Sequence, residues 1–287
     1  MGFLPLLVTT FIWGTAFLAQ KYGAGSLGPF AMTVFRNILG GSFLLAVMFA
    51  RRRKWDWRST GGGIACGVPL FAAMLAQQIG IEDTTPGVSA FLTTNYVLFV
   101  PLFAAVLSRR FPAIVTIVCV IVALSGTYLI CINGESFSIA RGERWTLLCA
   151  LIFSVQMLAV DRFSRRCDLL TMSATQLFVC SILGAPFLLL PSEASRISCE
   201  SLAAAWIPLV YCGVFSSGIA YTLQNAGQSK TPPAVAAIIL SLESVFGVLA
   251  GWIALGDTLS ARQLTGCALV FIASVFAQAF PGKAAKA

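Results

Sequence analysis

The residues that can do chemistry in this sequence are few, and the clearest is Glu243. It stands in the stretch LSLESVFG and is the only charged residue between Pro232 and Leu255. At 1.5 Å per residue it lies roughly 17 Å from each end of such a helix, near the middle of a bilayer. A charge there costs roughly 2.5–3.5 kcal/mol on insertion scales. Such an acid predicts either a proton- or amine-binding site, or a structural hydrogen bond or ion pair.

Arg36 is a second charge inside an apolar run, and Ser217, Tyr221 and Gln224 form a polar stripe at i, i+4 and i+7. Arg36 is either a clamp for a carboxylate or phosphate, a partner that separates from Glu243 during transport, or a fixed arginine that caps neighbouring carbonyl groups. Polar stripes inside helical bundles either face a cavity or join helices. Both interpretations stay open for these residues.

Aromatic and amide side chains supply the remaining candidates. Trp13, Phe17 and Gln20 fall on one helical face, at i, i+4 and i+7, and either line a pocket or pack in the core. Gln77 and Asn95 are weaker candidates from two further apolar segments.

The composition indicates which elements position these residues. The chain is 58% hydrophobic and only 10% charged, against roughly 25% charged residues in soluble domains. Such a chain is expected in the lipid bilayer. Its net charge of +8 fits Lys and Arg placed in cytoplasmic loops, so we expect no nucleic-acid partner. The nine Cys form no CxxC motif and indicate no disulfide framework.

Apolar segments of about 20 residues predict ten membrane-spanning helices, the sixth being the shortest. The expected fold is an all-α integral membrane protein. The predicted spans are Phe3–Gln20, Pro29–Ala50, Gly62–Gly80, Pro86–Leu107, Ala113–Ile132, Trp145–Val160, Leu169–Leu190, Leu202–Asn225, Pro232–Leu255 and Gln263–Phe280.

The loop charges predict the orientation. With both termini in the cytoplasm, inside segments carry 13 of the 19 Lys and Arg residues, outside segments carry 5, and Arg36 lies within the membrane. This excess follows the positive-inside rule and favours a multi-pass protein with cytoplasmic termini. The largest inside cluster is Arg51-Arg52-Arg53-Lys54. We interpret it as a topology anchor, with an anionic-lipid patch as the alternative.

The sequence also contains an internal repeat. When residues 77–110 are shifted by 147 positions, eight of 34 positions are identical, including polar and turn residues. The shift pairs the third and fourth predicted helices with the eighth and ninth, so the repeat unit has five helices, residues 1–140 and 141–287. Because five is odd, the second copy is inverted, as in many secondary transporters. Tyr96 occupies the position of Glu243 in the first copy.

Several stretches, taken in order, resemble the EamA-type transporters of the drug/metabolite transporter superfamily. They are IWGTAFLAQ, PFAMTVFRNILGG, QQIGIEDTTPGVSAFLTTNYVLFVPL and FSSGIAYTLQNAGQSKTPPAVAAIILSLESVFGVLAGWIALGDTLS. The resemblance covers essentially the whole chain and implies a ten-helix secondary transporter of the bacterial inner membrane. The family often has Glu-Pro where this chain has Glu243-Ser244, so a kink in the ninth helix stays open. We expect Ser244 to share a polar patch with Glu243 at the central cavity.

No enzyme is expected, because the chain lacks His, which excludes Ser-His-Asp and HExxH sites. It also lacks a P-loop, so we expect that ATP does not drive transport through this chain. No cofactor is expected either. The sequence favours export of small organic metabolites such as amino acids or related amines, by alternating access with proton coupling or exchange. The alternative is a flippase for a lipid or lipid-linked sugar, which predicts a lateral opening towards the membrane.

Overall fold

The computed structural model describes residues 2–107, 114–131, 139–256 and 260–279, and these residues form helices and no strands. Eight of the helices are long and apolar enough to cross a membrane. They are α1 (Phe3–Ala24), α2 (Pro29–Ala50), α3 (Trp57–Glu82), α4 (Pro86–Leu107), α6 (Arg141–Ser164), α7 (Leu169–Leu189), α8 (Trp206–Gln228) and α9 (Pro233–Leu255). Two more, α5 (Ile114–Cys131) and α10 (Ala261–Ala279), pack against each other. The predicted all-α membrane fold is confirmed.

Some predicted features lie outside the described residues. These are the helix ends Ala113, Ile132 and Phe280 and four of the Lys and Arg residues counted in inside segments, Arg109, Arg110, Lys283 and Lys286.

Helices α3 and α6 begin at least four residues earlier than predicted, because polar side chains cap them beyond their apolar segments. α3 begins at Trp57, and the Asp56 carboxylate accepts a hydrogen bond from the Arg58 amide at 3.1 Å. α6 begins at Arg141, where the Glu143 carboxylate accepts from the Ala140 amide at 2.9 Å. With 24 residues α6 is not the shortest span, so that prediction was wrong.

Contacts between helix ends define the directions of the helices. Lys21, near the end of α1, donates to the carbonyl oxygens of Ile81 and Glu82 at the end of α3, both at 3.0 Å, so these helices are parallel. We call this side of the bundle the Ala24 end. At the other side, which we call the Phe3 end, Gly2 lies against Gly227 near the end of α8. α7 also begins at the Phe3 end, where the Asp168 amide donates to Ser59 Oγ at 2.7 Å.

Close helix crossings occur in matched pairs that support the predicted repeat. A Cβ on Gly67 of α3 would lie 2.9 Å from the carbonyl oxygen of Gln176 in α7. A Cβ on Gly213 of α8 would lie 3.0 Å from the carbonyl oxygen of Arg36 in α2. The two glycines are 146 positions apart, and the residues that they face are 140 positions apart, both close to the offset of the predicted repeat. The crossing of α3 with α7 therefore corresponds to the crossing of α8 with α2.

The ends of the same helices match as well. A Cβ on Gly80 of α3 would lie 2.9 Å from the Gly142 carbonyl oxygen, and a Cβ on Gly227 of α8 would lie 3.0 Å from the Gly2 carbonyl oxygen. Gly227 is 147 positions after Gly80, whereas Gly213 is 146 positions after Gly67. Between its two glycines, α8 therefore contains one residue more than α3 does. Tyr211–Ala220 in α8 has π-type spacing, which is how a helix absorbs an inserted residue.

Two helices are interrupted at matching positions near their centres. α4 breaks at Thr94 and Asn95, and α9 breaks at Leu242, which is 147 positions after Asn95. The question left open by the missing proline is thereby answered, because α9 is interrupted without one. Ser244 Oγ donates to the Ser241 carbonyl oxygen at 2.7 Å, so this carbonyl next to the break has a hydrogen-bond donor.

The surface and interior have the polarity of a membrane protein. Large apolar side chains such as Phe49 and Ile253 are 87% and 77% exposed, whereas polar residues such as Asn37, Gln176 and Asn225 are fully buried. A surface of this kind is stable in lipid, because the polar groups are shielded inside the bundle. The chain is therefore a multi-pass membrane protein.

Candidate functional site

The helix breaks bring Tyr96 and Glu243 together at the centre of the bundle. Tyr96 Oη donates a hydrogen bond to Glu243 Oε1 at 3.0 Å, and both side chains are buried. The two residues occupy the same position in the two predicted repeats. Glu243 begins the second half of α9, so its carboxyl group also lies at a helix N-terminus, where the dipole favours negative charge.

A narrow cavity surrounds this pair. Its volume is about 20 Å³, enough for a water molecule but not for an amino acid. It extends towards the Ala24 end, where Gln20 and Gln77 lie. The lining residues are Trp13, Ala16, Phe17, Gln20, Arg36, Gln77, Thr93, Tyr96, Phe153, Ser216, Tyr221 and Glu243. Binding of any organic cargo here requires the helices to move apart.

Arg36 places a guanidinium group in the cavity wall without a carboxylate partner. Its Nε donates to Ser217 Oγ at 3.2 Å and its Nη2 to Ser216 Oγ at 3.0 Å. In the part of the chain that the structure describes, the ion pairs are Arg141–Asp83, Arg165–Asp161 and Arg196–Glu82, and none includes Arg36 or Glu243. The interpretations of Arg36 as a carbonyl cap or as the ion-pair partner of Glu243 do not describe this conformation.

Two aromatic rings in the cavity wall lie against each other. The rings of Trp13 and Tyr221 have centroids 4.8 Å apart. Trp13 Nε1 donates to the Ser216 carbonyl oxygen at 3.1 Å, which holds the indole against α8. All three residues of the predicted face, Trp13, Phe17 and Gln20, line the cavity.

Four predicted site residues lie beside the cavity and are not part of its lining. Ser244 is bonded to the backbone of its own helix, and Asn95 Nδ2 donates to the Leu92 carbonyl oxygen at 3.0 Å. Ser217 accepts from Arg36 and so positions its guanidinium group. Gln224 Nε2 donates to a neighbouring amide, Gln156 Oε1, at 3.4 Å.

Four lining residues were not among the predicted ones: Ala16, Thr93, Phe153 and Ser216. The π-type spacing explains Ser216. A stripe with α-helical spacing from Tyr221 points back to Ser217, but the wider turn brings Ser216, five residues before Tyr221, to the cavity. Thr93 ends the first half of α4, and Phe153 reaches the site through packing between the two predicted repeats. Neither has a local sequence signal.

In this conformation the cavity places a guanidinium group, a carboxyl group and hydrogen-bonding side chains around the space of a water molecule, with an aromatic wall. Arg36 presents a guanidinium group held by two serine hydroxyls, and Glu243 presents a carboxyl group that accepts from Tyr96. Among the described residues, no group of three His, Cys, Asp or Glu side chains could hold a metal ion.

Comparisons with known proteins identify the family. The EamA-like transporter family matches residues 1–132 and 140–278. An uncharacterized transporter of Archaeoglobus fulgidus is 28% identical over 95% of this chain and 84% of its own length. The Bacillus subtilis uncharacterized transporter YwfM is 27% identical over 98% of this chain and 94% of its own length.

A chloroplastic WAT1-related protein of Arabidopsis thaliana is 25% identical over 93% of this chain and 67% of its own length. A protein crystal structure covers 98% of this chain with a TM-score of 0.74 at 21% identity, which shows the shared fold. The family match covers both parts of the described bundle, including every residue of the central cavity. The chain therefore belongs to the EamA-like transporter family.

Proposed function

We propose that this protein exports small organic amines or amino acids across the bacterial inner membrane, with both termini in the cytoplasm, by alternating access between two inverted five-helix repeats. The observation that carries the proposal is a buried cavity holding one guanidinium and one carboxyl group that do not pair with each other. Burial of two separate charged groups is costly unless a ligand compensates them. A molecule with a carboxylate for Arg36 and an amine for Glu243 supplies that compensation.

Glu243 is also the residue through which transport would be coupled to protons or to exchange. Tyr96 donates to its carboxyl group, and cargo amine or a proton would compete for the same group. The cavity of about 20 Å³ supports alternating access, because cargo enters only when the surrounding helices separate. The breaks in α4 and α9 lie beside the site and allow each half-helix to tilt separately.

The test is uptake and counterflow of amino acids and amines in proteoliposomes, with wild type compared to Glu243→Gln and Arg36→Gln. Loss of a hydrogen bond to a charged group is worth about 1.5–3 kcal/mol, so we expect at least a tenfold lower rate for each variant. Glu143→Gln is the matched control. Glu143 is also buried but lies outside the cavity, and glutamine keeps an acceptor for the Ala140 amide. Unchanged transport and unchanged pH dependence in Glu243→Gln would rule out its coupling role.

A second candidate function, lipid flipping, has one observation in its favour. A groove of about 800 Å³ opens sideways between α1 and the start of α8. Its lining residues are Phe11, Thr15, Leu18, Ala19, Tyr22, Ser26, Ala204, Ile207, Pro208 and Tyr211. The groove contains no charged residue, whereas a lipid headgroup that crosses the bilayer needs a polar path. Transbilayer movement of headgroup-labelled lipid in the same proteoliposomes, without amine transport, would favour the flippase.

A further inference from the structure

A second group of buried polar side chains lies between the cavity and the Phe3 end, on α6, α7 and α8. Its members are at most 1% exposed: Gln156, Ser173, Gln176, Gln224, Asn225 and Gln228. We call them the amide cluster. Three bonds hold members other than Gln176: Gln224 Nε2 donates to Gln156 Oε1 at 3.4 Å, Asn225 Nδ2 to Ser173 Oγ at 2.8 Å, and Gln228 Nε2 to the Met157 carbonyl oxygen at 3.3 Å.

The hydrogen-bonding capacity of this cluster is largely unused. Gln176 has no partner for either its amide nitrogen or its amide oxygen. The side-chain oxygens of Gln224, Asn225 and Gln228 and the nitrogen of Gln156 also have none within the described residues. Buried polar groups are normally paired, so a role purely in joining helices does not account for Gln176.

The place of Gln176 in the fold matches that of Arg36. Each is the seventh residue after the start of its helix, Leu169 for α7 and Pro29 for α2. Each lies roughly 10 Å from that start, on opposite sides of the bundle. The carbonyl oxygen of Gln176 would lie 2.9 Å from a Cβ on Gly67, and the carbonyl oxygen of Arg36 would lie 3.0 Å from a Cβ on Gly213. Other members match as well, since Gln224 is 147 positions after Gln77 and both lie on equivalent helices.

We propose that the amide cluster is the cargo-contacting surface of the conformation open to the Phe3 end, with Gln176 in the role that Arg36 has in the cavity. This inference rests on the proposed transport function. When the helices at the Phe3 end separate, the unpartnered amides of Gln176, Gln224 and Gln228 face the opening and bind the polar groups of the cargo. The ligand class is a small molecule with a carboxylate or another hydrogen-bond acceptor for the Gln176 amide nitrogen. The surface has no fixed charge, so it binds an anionic group less tightly than Arg36 does.

The decisive variant is Gln176→Met, which keeps the length of the side chain and removes two unpartnered polar atoms. We expect an unchanged or higher melting temperature together with at least a tenfold lower transport rate. Asn225→Leu is the matched control. Because Asn225 Nδ2 bonds Ser173, we expect this change to lower the melting temperature. Unchanged transport in Gln176→Met would overturn the inference, and so would a lower melting temperature, since that shows a structural role.

A second measurement does not depend on knowing the cargo. Gln176→Cys is treated in membranes with a membrane-impermeant thiol reagent added from the Phe3 side, and labelling is located by peptide mass spectrometry. We expect position 176 to react, and the control Leu177→Cys, whose parent side chain is fully buried in the core, to stay unlabelled. No reaction at 176 would overturn the inference. If wild type transports no amine or amino acid while position 176 reacts, the proposed cargo is wrong and the opening at the Phe3 end stands.

Discussion

Helices α2 and α7 have equivalent places in the bundle, yet they are anchored in different ways. α7 is capped by its own preceding residue, because Asp168 Oδ1 accepts from the Thr171 amide at 2.9 Å. The equivalent residue before α2 is Gly28, which has no side chain to do this. Instead, Glu193 Oε2, from the short helix Pro191–Ala194, accepts from the Ala31 amide of α2 at 3.1 Å.

The two caps differ in how far they depend on the rest of the bundle. The cap of α7 is local and persists whatever the neighbouring helices do. The cap of α2 depends on a buried carboxylate from another segment, and Gly28 leaves the space into which that carboxylate fits. Because α2 carries Arg36, this cap links the position of the Pro191–Ala194 segment to the helix that lines the cavity.

The largest effect that tests this comparison is expected at the helix crossings. Gly213→Leu and Gly67→Leu each force a side chain against a neighbouring backbone, so each should lower the free energy of unfolding by about 3 kcal/mol or more. Unfolding in detergent measures this loss. Gly61→Ala is the control, because nothing lies within 4 Å of its Cβ position and alanine favours helix. If either leucine variant were as stable as wild type, the two crossings would not be equivalent.

The two caps should differ by a smaller amount. Glu193→Ala leaves the buried Ala31 amide without an acceptor, and we expect a loss of about 1–3 kcal/mol. Asp168→Ala should cost about 1 kcal/mol, the usual value for a lost N-cap. Thermal unfolding in detergent measures both losses.

A rescue experiment sharpens the test of the caps. Adding Gly28→Asp to Glu193→Ala gives α2 the kind of cap that α7 has, so it should recover most of the lost stability. Failure of this rescue would mean that Glu193 stabilises α2 by something other than capping.

The ion pairs at the two ends should have the smallest effects. Glu82→Gln removes the Arg196 partner at the Ala24 end, and Asp161→Asn removes the Arg165 partner, an i,i+4 pair near the Phe3 end. Partly exposed pairs contribute about 0–1 kcal/mol and helical i,i+4 pairs about 0.3–0.5 kcal/mol. Unfolding at low and high salt measures both, and a salt-independent loss would contradict an electrostatic origin.

The sequence predicts the membrane fold well because apolar segments and charges are local signals. The spans Pro29–Ala50 and Pro86–Leu107 have the bounds that the apolar segments predict. Glu243 and Arg36 are recognisable because a charge inside an apolar segment is costly and therefore informative. Helix starts were missed where capping by Asp56 and Glu143 extends a helix into a polar segment.

The rest of the candidate site depends on packing that no local pattern encodes. Phe153 enters the cavity because α6 packs against α3 and α4, which are distant in the sequence. Gln176 is a neutral residue in an apolar segment, so the sequence contains no signal for it. Only the structure shows that its place matches that of Arg36 and that its amide has no partner in the part of the chain that is described. Ser216 could not be predicted, because the π-type spacing of Tyr211–Ala220 differs from the α-helical spacing assumed for the stripe.

That change in spacing has an energetic consequence. If two inverted repeats were identical, exchanging their conformations would give two access states of equal energy. The residue absorbed by Tyr211–Ala220 exists in α8 and not in α3, so two states related in this way would differ in energy. Under the alternating access proposed above, the empty protein would have one preferred resting state, and the free energy between the two states would set how much cargo binding must contribute to each cycle.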